Sequence, residues 1–406
     1  VVGGSLSLTR NLGPFGQAQQ QAIKVAETQI NAFGGVLGRR VQFEIRDDGT
    51  DTAKSRAVAE ELIALGVPIA IGTTGSPQAP DVAPLFQAAK IATISPSAST
   101  PVMRTAQPAR DRYFFRTAAS HGLQAKALAL KAVNGIAGAP GSTRLGVVYA
   151  DDGYGKPIAE GVRAQAQALG AEIVAERGVP TQVKADYAPE VNDVFAARPT
   201  CLLVVTFPDV GIGVLREAKK AGRTPAAPAG LQYIGSNGLR NAAGFLVAGR
   251  RDPADPTSPT IGEGMVILNF DLNPGTPEYA AFKNIFTSHY PLKPDQPDLV
   301  GYTANAYDAA VLAALAIEQA KTTADPVAIR DALYLVSRGG TAFGPDRVSE
   351  AISAIKRGAD IDYNGASGPV DFDDFGDVLA DFVLERVQDG AFTKIDTITV
   401  KDLPAD

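Results

Sequence analysis

Residues 67–101 read VPIAIGTTGSPQAPDVAPLFQAAKIATISPSASTP. A short apolar run (VPIAIG) stops at a glycine and hydroxyl cluster. A segment of helical period follows Ser76, and a second apolar run (IATI) stops at Ser95, Ser97, Ser99 and Thr100. Strand, helix, strand in that order predicts a parallel pair with a crossover helix. In open sheets of this kind a ligand meets the residues just beyond the carboxyl ends of the strands. Both hydroxyl clusters occupy that place.

The same rhythm extends outward. VVGGSLSL precedes a helix over 15–33, in which Ala18, Ala22, Val25, Ala26, Ile30 and Phe33 recur at spacings of three and four. RVQFEIRDD and a helix after Asp51 complete the first α/β unit. A second unit restarts with RLGVVYADD, AEIVAERGV, CLLVVTF, a helix over 210–221 and LQYIGS. RDPADPTSPT reads as a loop, 276–357 as mostly helical, and the last forty-odd residues as antiparallel strands.

The chain has 406 residues, which predicts more than one domain. A net charge of −6 opposes a nucleic-acid grip. The longest apolar stretch, 62–72, is broken by Gly66 and Pro68 and is too short to span a membrane. The single cysteine, Cys201, lies in an apolar run and reads as a core residue.

Ser76–Pro77 and Thr100–Pro101 each resemble a helix start, with serine or threonine as cap and proline in the first turn. Taken singly, each is a plain cap. Two on adjacent strand ends predict an anion cradle built from hydroxyls and backbone N–H groups. DVGIGVLRE lacks the third glycine of a dinucleotide fingerprint. DFDDFGD mimics a calcium loop, but Phe375 stands where a ligand is needed, so a turn is expected. Nucleophile motifs, zinc spacings and P-loops are missing. The reading is a non-enzymatic protein with no metal and no cofactor.

Five stretches then carry a resemblance over nearly the whole chain: 11–51, 71–100, 147–164 (VVYADDGYGKPIAEGVRA), 215–222 (LREAKKAG) and 365–378 (GASGPVDFDDFGDV). Together they resemble the periplasmic solute-binding proteins of the leucine/isoleucine/valine-binding family, type I receptors that feed ABC importers. The resemblance implies an α/β fold of two Rossmann-like, doubly wound lobes joined by a three-segment hinge near 117–121, 266–271 and 366–370. The N-terminal lobe would comprise 1–118 plus 269–367, and the C-terminal lobe 119–268 plus 368–406.

It also implies a periplasmic or extracytoplasmic monomer, with a lipid anchor left open, that captures a small solute in an interlobe cleft and meets an ABC permease and ATPase. Carboxylate-binding hydroxyls would be Ser76, Ser97 and Ser99; aromatic clamps would be Phe15, Tyr154, Phe207 and Tyr302. At Asn237-Gly238 the chain departs from the family, whose amino-acid receptors carry a glutamate there to pair the ligand's ammonium. Asparagine offers a carbonyl acceptor without charge, and Asp152 or Asp209 could compensate. The expected ligand is therefore a carboxylate-bearing solute, either amino acid-like or amine-free. An amide or urea-type solute, or a sensor of the same fold, are the alternatives.

Overall fold

The computed structural model describes residues 1–109, 111–136, 138–225, 231–252, 254–255, 257–270, 275–293 and 299–404. Its first part runs β1 (Val2–Leu6), α1 (Gly13–Ala32), β2 (Phe43–Asp47), α2 (Thr52–Ala64), β3 (Ile69–Gly72), α3 (Ala79–Ala89), β4 (Ala92–Ser95) and β5 (Phe114–Arg116). The quoted stretch is thus the β3–α3–β4 unit. Neither expected cap forms. Pro80, not Pro77, takes the early helical slot, so α3 opens at Ala79 and Ser76 lies in the preceding turn. Pro101 itself stands in the capping position of the short helix Val102–Ala106, which leaves Thr100 outside it.

The chain packs as two compact units: Val1–Ser120 with Leu272–Leu292 and Leu299–Ala380, and His121–Asp271 with Lys293–Asp298 and Asp381–Asp406. In the first, the strands lie in the order β2-β1-β3-β4-β5, all parallel. Ile23, Val25 and Ile30 of α1 are buried, each worth about 1.5–3 kcal/mol. A Cβ on Gly16 would come within 1.9 Å of the Ser7 carbonyl oxygen. That close approach seats the first turns of α1 on the chain leaving β1, and brings Phe15 and Gln19 to the strand ends.

The helix Thr303–Ala320 runs through the core of this unit, and its alanines let neighbouring elements approach closely. Within it Asp308 is fully buried. Its carboxylate accepts from the Tyr363 hydroxyl and the Ala366 N–H, both at 2.8 Å, and from the Ser367 N–H at 2.8 Å and hydroxyl at 2.6 Å. Burial pushes its pKa up to about 6, against the pull of these donors. Gly365 has no room for a side chain, since a Cβ there would lie 2.6 Å from the Asp308 Oδ2.

Residues 368–380, which the sequence reading assigns to the C-terminal lobe, pack in the first unit. Charge holds them there. The fully buried Arg116 pairs with Asp377, and Arg104 reaches Asp373 at 2.9 Å and Asp377 at 3.1 Å while covering the Phe375 ring. The DFDDFGD segment is a turn clamped by arginines. Of the strands expected over 367–388, Gly368–Pro369 and Phe382–Gln388 form.

The second unit has a seven-stranded sheet. Its parallel part orders Val266–Phe270, Gln232–Gly235, Cys201–Val205, Arg144–Ala150 and Glu172–Val179. Phe382–Gln388 and then Ala391–Ile398 extend it antiparallel, as the sequence suggests. Cys201 is buried, and desolvation pushes its thiol up to about 12, so it is an inert core residue.

Candidate functional site

In the first unit the hydroxyls after β3 and β4 form one network. The Thr74 hydroxyl donates to Gln19 Oε1 at 2.8 Å, and Gln19 Nε2 donates to Ser97 Oγ at 2.7 Å. Ser97 in turn donates to the Thr74 carbonyl at 2.7 Å. Ser95 donates to the Thr73 carbonyl at 2.7 Å and accepts the Ala98 N–H at 2.8 Å. Gln19 therefore ties both loops to α1. Sequence reasoning missed it, although a glutamine three residues before Ala22 sits on the apolar stripe of the helix and is buried.

The three predicted hydroxyls stand differently in this network. Ser97 has its proton and a lone pair engaged. Ser99 donates to the Ser97 carbonyl at 2.9 Å, a local bond that rotation of one torsion releases. The Ser76 hydroxyl makes no hydrogen bond among the described residues, though the residue is buried. Beneath the loop, Arg116 Nη1 donates to the Thr100 carbonyl at 2.7 Å.

Phe15 and Tyr302 come together, with ring centroids 6.3 Å apart. Tyr302 has a φ of 66°, a left-handed conformation that costs a non-glycine residue about 1–2 kcal/mol. The opening of the 303–320 helix, where Asn305 and Thr117 exchange bonds of 2.8 Å, holds it in place.

In the second unit the structure gathers Tyr154, Phe207, Asn237 and Gly238. The Tyr154 and Phe207 rings lie 4.7 Å apart, and His121 meets Tyr154 edge-on at 4.9 Å. The Tyr154 hydroxyl is a hub. It lies 2.7 Å from Ser236 Oγ, donates to Asn237 Oδ1 at 3.1 Å, and accepts the Gly238 N–H at 2.9 Å. Gln124, unread in the sequence, donates to the same Asn237 oxygen at 2.9 Å. Thr206 is buried with its hydroxyl unpartnered among the described residues.

Of the two acids considered as substitutes for a glutamate, Asp152 accepts the Tyr154 and Gly155 N–H groups, both at 2.9 Å, at the start of the helix Gly155–Ala168. Burial raises its pKa more than these bonds lower it. Asp209 is exposed in the first turn of the helix Pro208–Lys220.

Among the described residues no cluster of metal-ligating side chains occurs, and no helix is long and apolar enough to cross a membrane. The profile of the family described as "Periplasmic binding protein" matches residues 1–359. A curated relative, the chemotactic signal transduction system substrate-binding protein BasB of Halobacterium salinarum, is 27% identical over 95% of this chain and 85% of its own. Among solved structures, the leucine binding protein LivK of Thermotoga maritima superposes with a TM-score of 0.77 at 18% identity, covering 99% of this chain and all of the other. An R. palustris solute binding protein in complex with 4-hydroxybenzoate gives a TM-score of 0.73 at 20% identity, covering 99% and 97%. The fold is that of the type I periplasmic binding proteins, and the chain belongs to the periplasmic binding protein family, whose members bind solutes without transforming them.

Proposed function

We propose that this protein is an extracytoplasmic, monomeric receptor that captures a small carboxylate-bearing solute and delivers it to an ABC importer. The observation that carries this reading is the hydroxyl network at the carboxyl ends of β3 and β4. There Ser76 and Ser99 offer neutral donors on a loop braced by Gln19 and Arg116. Hydroxyl and N–H donors in a buried setting suit a carboxylate. In this reading the Tyr154–Phe207–Asn237–Gly238 group, with Phe15 and Tyr302, meets the rest of the solute. The relatives named for leucine and 4-hydroxybenzoate support a carboxylate as the shared element.

Mass spectrometry of solute released from the purified protein, followed by a thermal-shift panel of amino acids, aromatic acids and aliphatic acids, tests it. A ligand at a hundred times its Kd stabilises by about 2.7 kcal/mol, which such a panel detects. A panel in which amides or urea stabilise and carboxylates do not overturns the carboxylate assignment.

A second reading, a receptor that reports to a signalling partner, is favoured by the chemotaxis role in the name of the Halobacterium relative. Co-purification with a permease or with a transducer separates the two.

A further inference from the structure

The first unit carries a hollow at the opposite ends of its strands from the hydroxyl network. A cavity of about 350 Å³ lies where the chain enters β1 and β3, and every residue that lines it belongs to this unit. That volume is on the scale of small-molecule sites. Val2, Val36, Val41 and Val67 are buried and give it hydrocarbon walls. Arg39 and Arg40 also line it. Both are exposed, and neither guanidinium has an ion pair or a hydrogen bond among the described residues.

The two arginines stand on a braced turn. The Val36 and Arg39 main chains exchange two bonds of 2.9 Å, and the Asn31 side chain holds the N–H and the carbonyl of Val41, both at 2.8 Å. The buried Glu318 carboxylate accepts the Leu37 N–H at 2.6 Å. Gly35 has a φ of 72°, and a Cβ there would come within 2.0 Å of the Arg39 carbonyl oxygen, so the turn closes only on a glycine. The backbone that carries both cations is thus ordered before any ligand arrives. The plain alternative is that the arginines offset the carbonyl ends of α1 and α2, which stop at Ala32 and Ala64. A cation in that role hydrogen-bonds the last carbonyls of a helix, and neither arginine does so among the described residues.

We propose that this cavity binds an amphiphilic anion, a carboxylate or phosphate monoester head on an aliphatic body. Planar guanidinium forks match the head, and the valine walls take the body out of water. The site is separate from the proposed solute cradle and does not depend on that reading.

Calorimetry on the full chain with octanoate and octyl phosphate tests it. Both should bind about tenfold or more tighter than octanol, which lacks the charge, and than acetate or inorganic phosphate, which lack the body. The double substitution Arg39→Gln with Arg40→Gln should weaken both amphiphiles about tenfold or more and leave octanol unchanged. Both side chains are exposed, so the melting temperature without ligand should stay at the wild-type value. Ser99→Ala, at the other ends of the strands, should leave octyl phosphate binding as it is. Binding lost in Ser99→Ala and kept in the arginine variant would put the anion in the solute cradle and overturn the proposal. Octanol or acetate binding as tightly as octanoate, or silence from both amphiphiles, overturns it too and leaves the receptor reading standing. Flotation with phosphatidylglycerol against phosphatidylcholine vesicles names the source. Recruitment by the anionic vesicles alone, lost in the arginine variant, marks a lipid headgroup. Binding in solution without recruitment marks a free amphiphile, and either result supports the site.

Discussion

Arg116 and Asp377, 261 residues apart in the chain, form a buried two-pronged pair, with Nε to Oδ1 at 2.7 Å and Nη2 to Oδ2 at 2.9 Å. The same guanidinium holds the Thr100 carbonyl. Removing one partner of a buried pair strands the other charge, at about 3–5 kcal/mol. Asp377→Asn should therefore lower the denaturant midpoint sharply. Arg116→Met should cost less than that, because Arg104, 3.1 Å from Oδ2, still pairs with the Asp377 carboxylate left behind. Equal unfolding curves for wild type and Asp377→Asn would contradict the pairing.

Ser97 and Ser99 should separate stability from affinity. Ser97→Ala breaks bonds to both Gln19 and Thr74, so melting without ligand should fall by an amount equivalent to about 1–3 kcal/mol. Ser99→Ala and Ser76→Ala should leave melting near wild type and weaken carboxylate binding about ten- to a hundredfold. Titration calorimetry with the solute identified above checks this.

Tyr154→Phe should keep the ring contacts with Phe207 and His121 and lose the hub. The buried Gly238 N–H would then lack its acceptor, at about 1–3 kcal/mol. Chemical unfolding measures the loss. A variant as stable as wild type would show that the hub contributes nothing to the fold.

Asp308 predicts a pH dependence. Its carboxyl titrates at about 6 in the folded chain, against 3.8 as its ordinary value. Between those values the folded state binds more protons than the unfolded state, so stability should fall as pH rises through this window and level off above it. A rise of that size corresponds to about 3 kcal/mol at most. Asp308→Asn should remove that slope from a plot of midpoint against pH. It should also lower the midpoint throughout, because an amide NH2 would face the Ser367 N–H.

Much of the architecture was legible because it rests on local pattern. Apolar runs ending at hydroxyl or glycine clusters mark the strands, and the stripe on α1 marks its buried face. The family resemblance, not local pattern, named Tyr154, Phe207, Asn237, Gly238, Phe15 and Tyr302 as expected site residues; that the first four gather and that Phe15 meets Tyr302 are seen in the structure. The start of α3 was misread because Pro77 and Pro80 compete for its opening, and the start of the short helix because Pro101 itself, not Thr100, takes the capping position. Gln19, Gln124 and the Arg116–Asp377 pair were not legible as a group. Each joins segments far apart in sequence, and a polar residue on an apolar stripe signals burial without naming its partner.

The burial of Cys201 has a practical consequence. The sequence holds one cysteine and no tryptophan, and the one thiol is shielded and protonated at neutral pH. A cysteine placed on any exposed position would be the sole site of alkylation, and a tryptophan at Phe207 the sole indole emitter. Fluorescent reporting of solute capture thus needs one substitution and no prior removal of native groups.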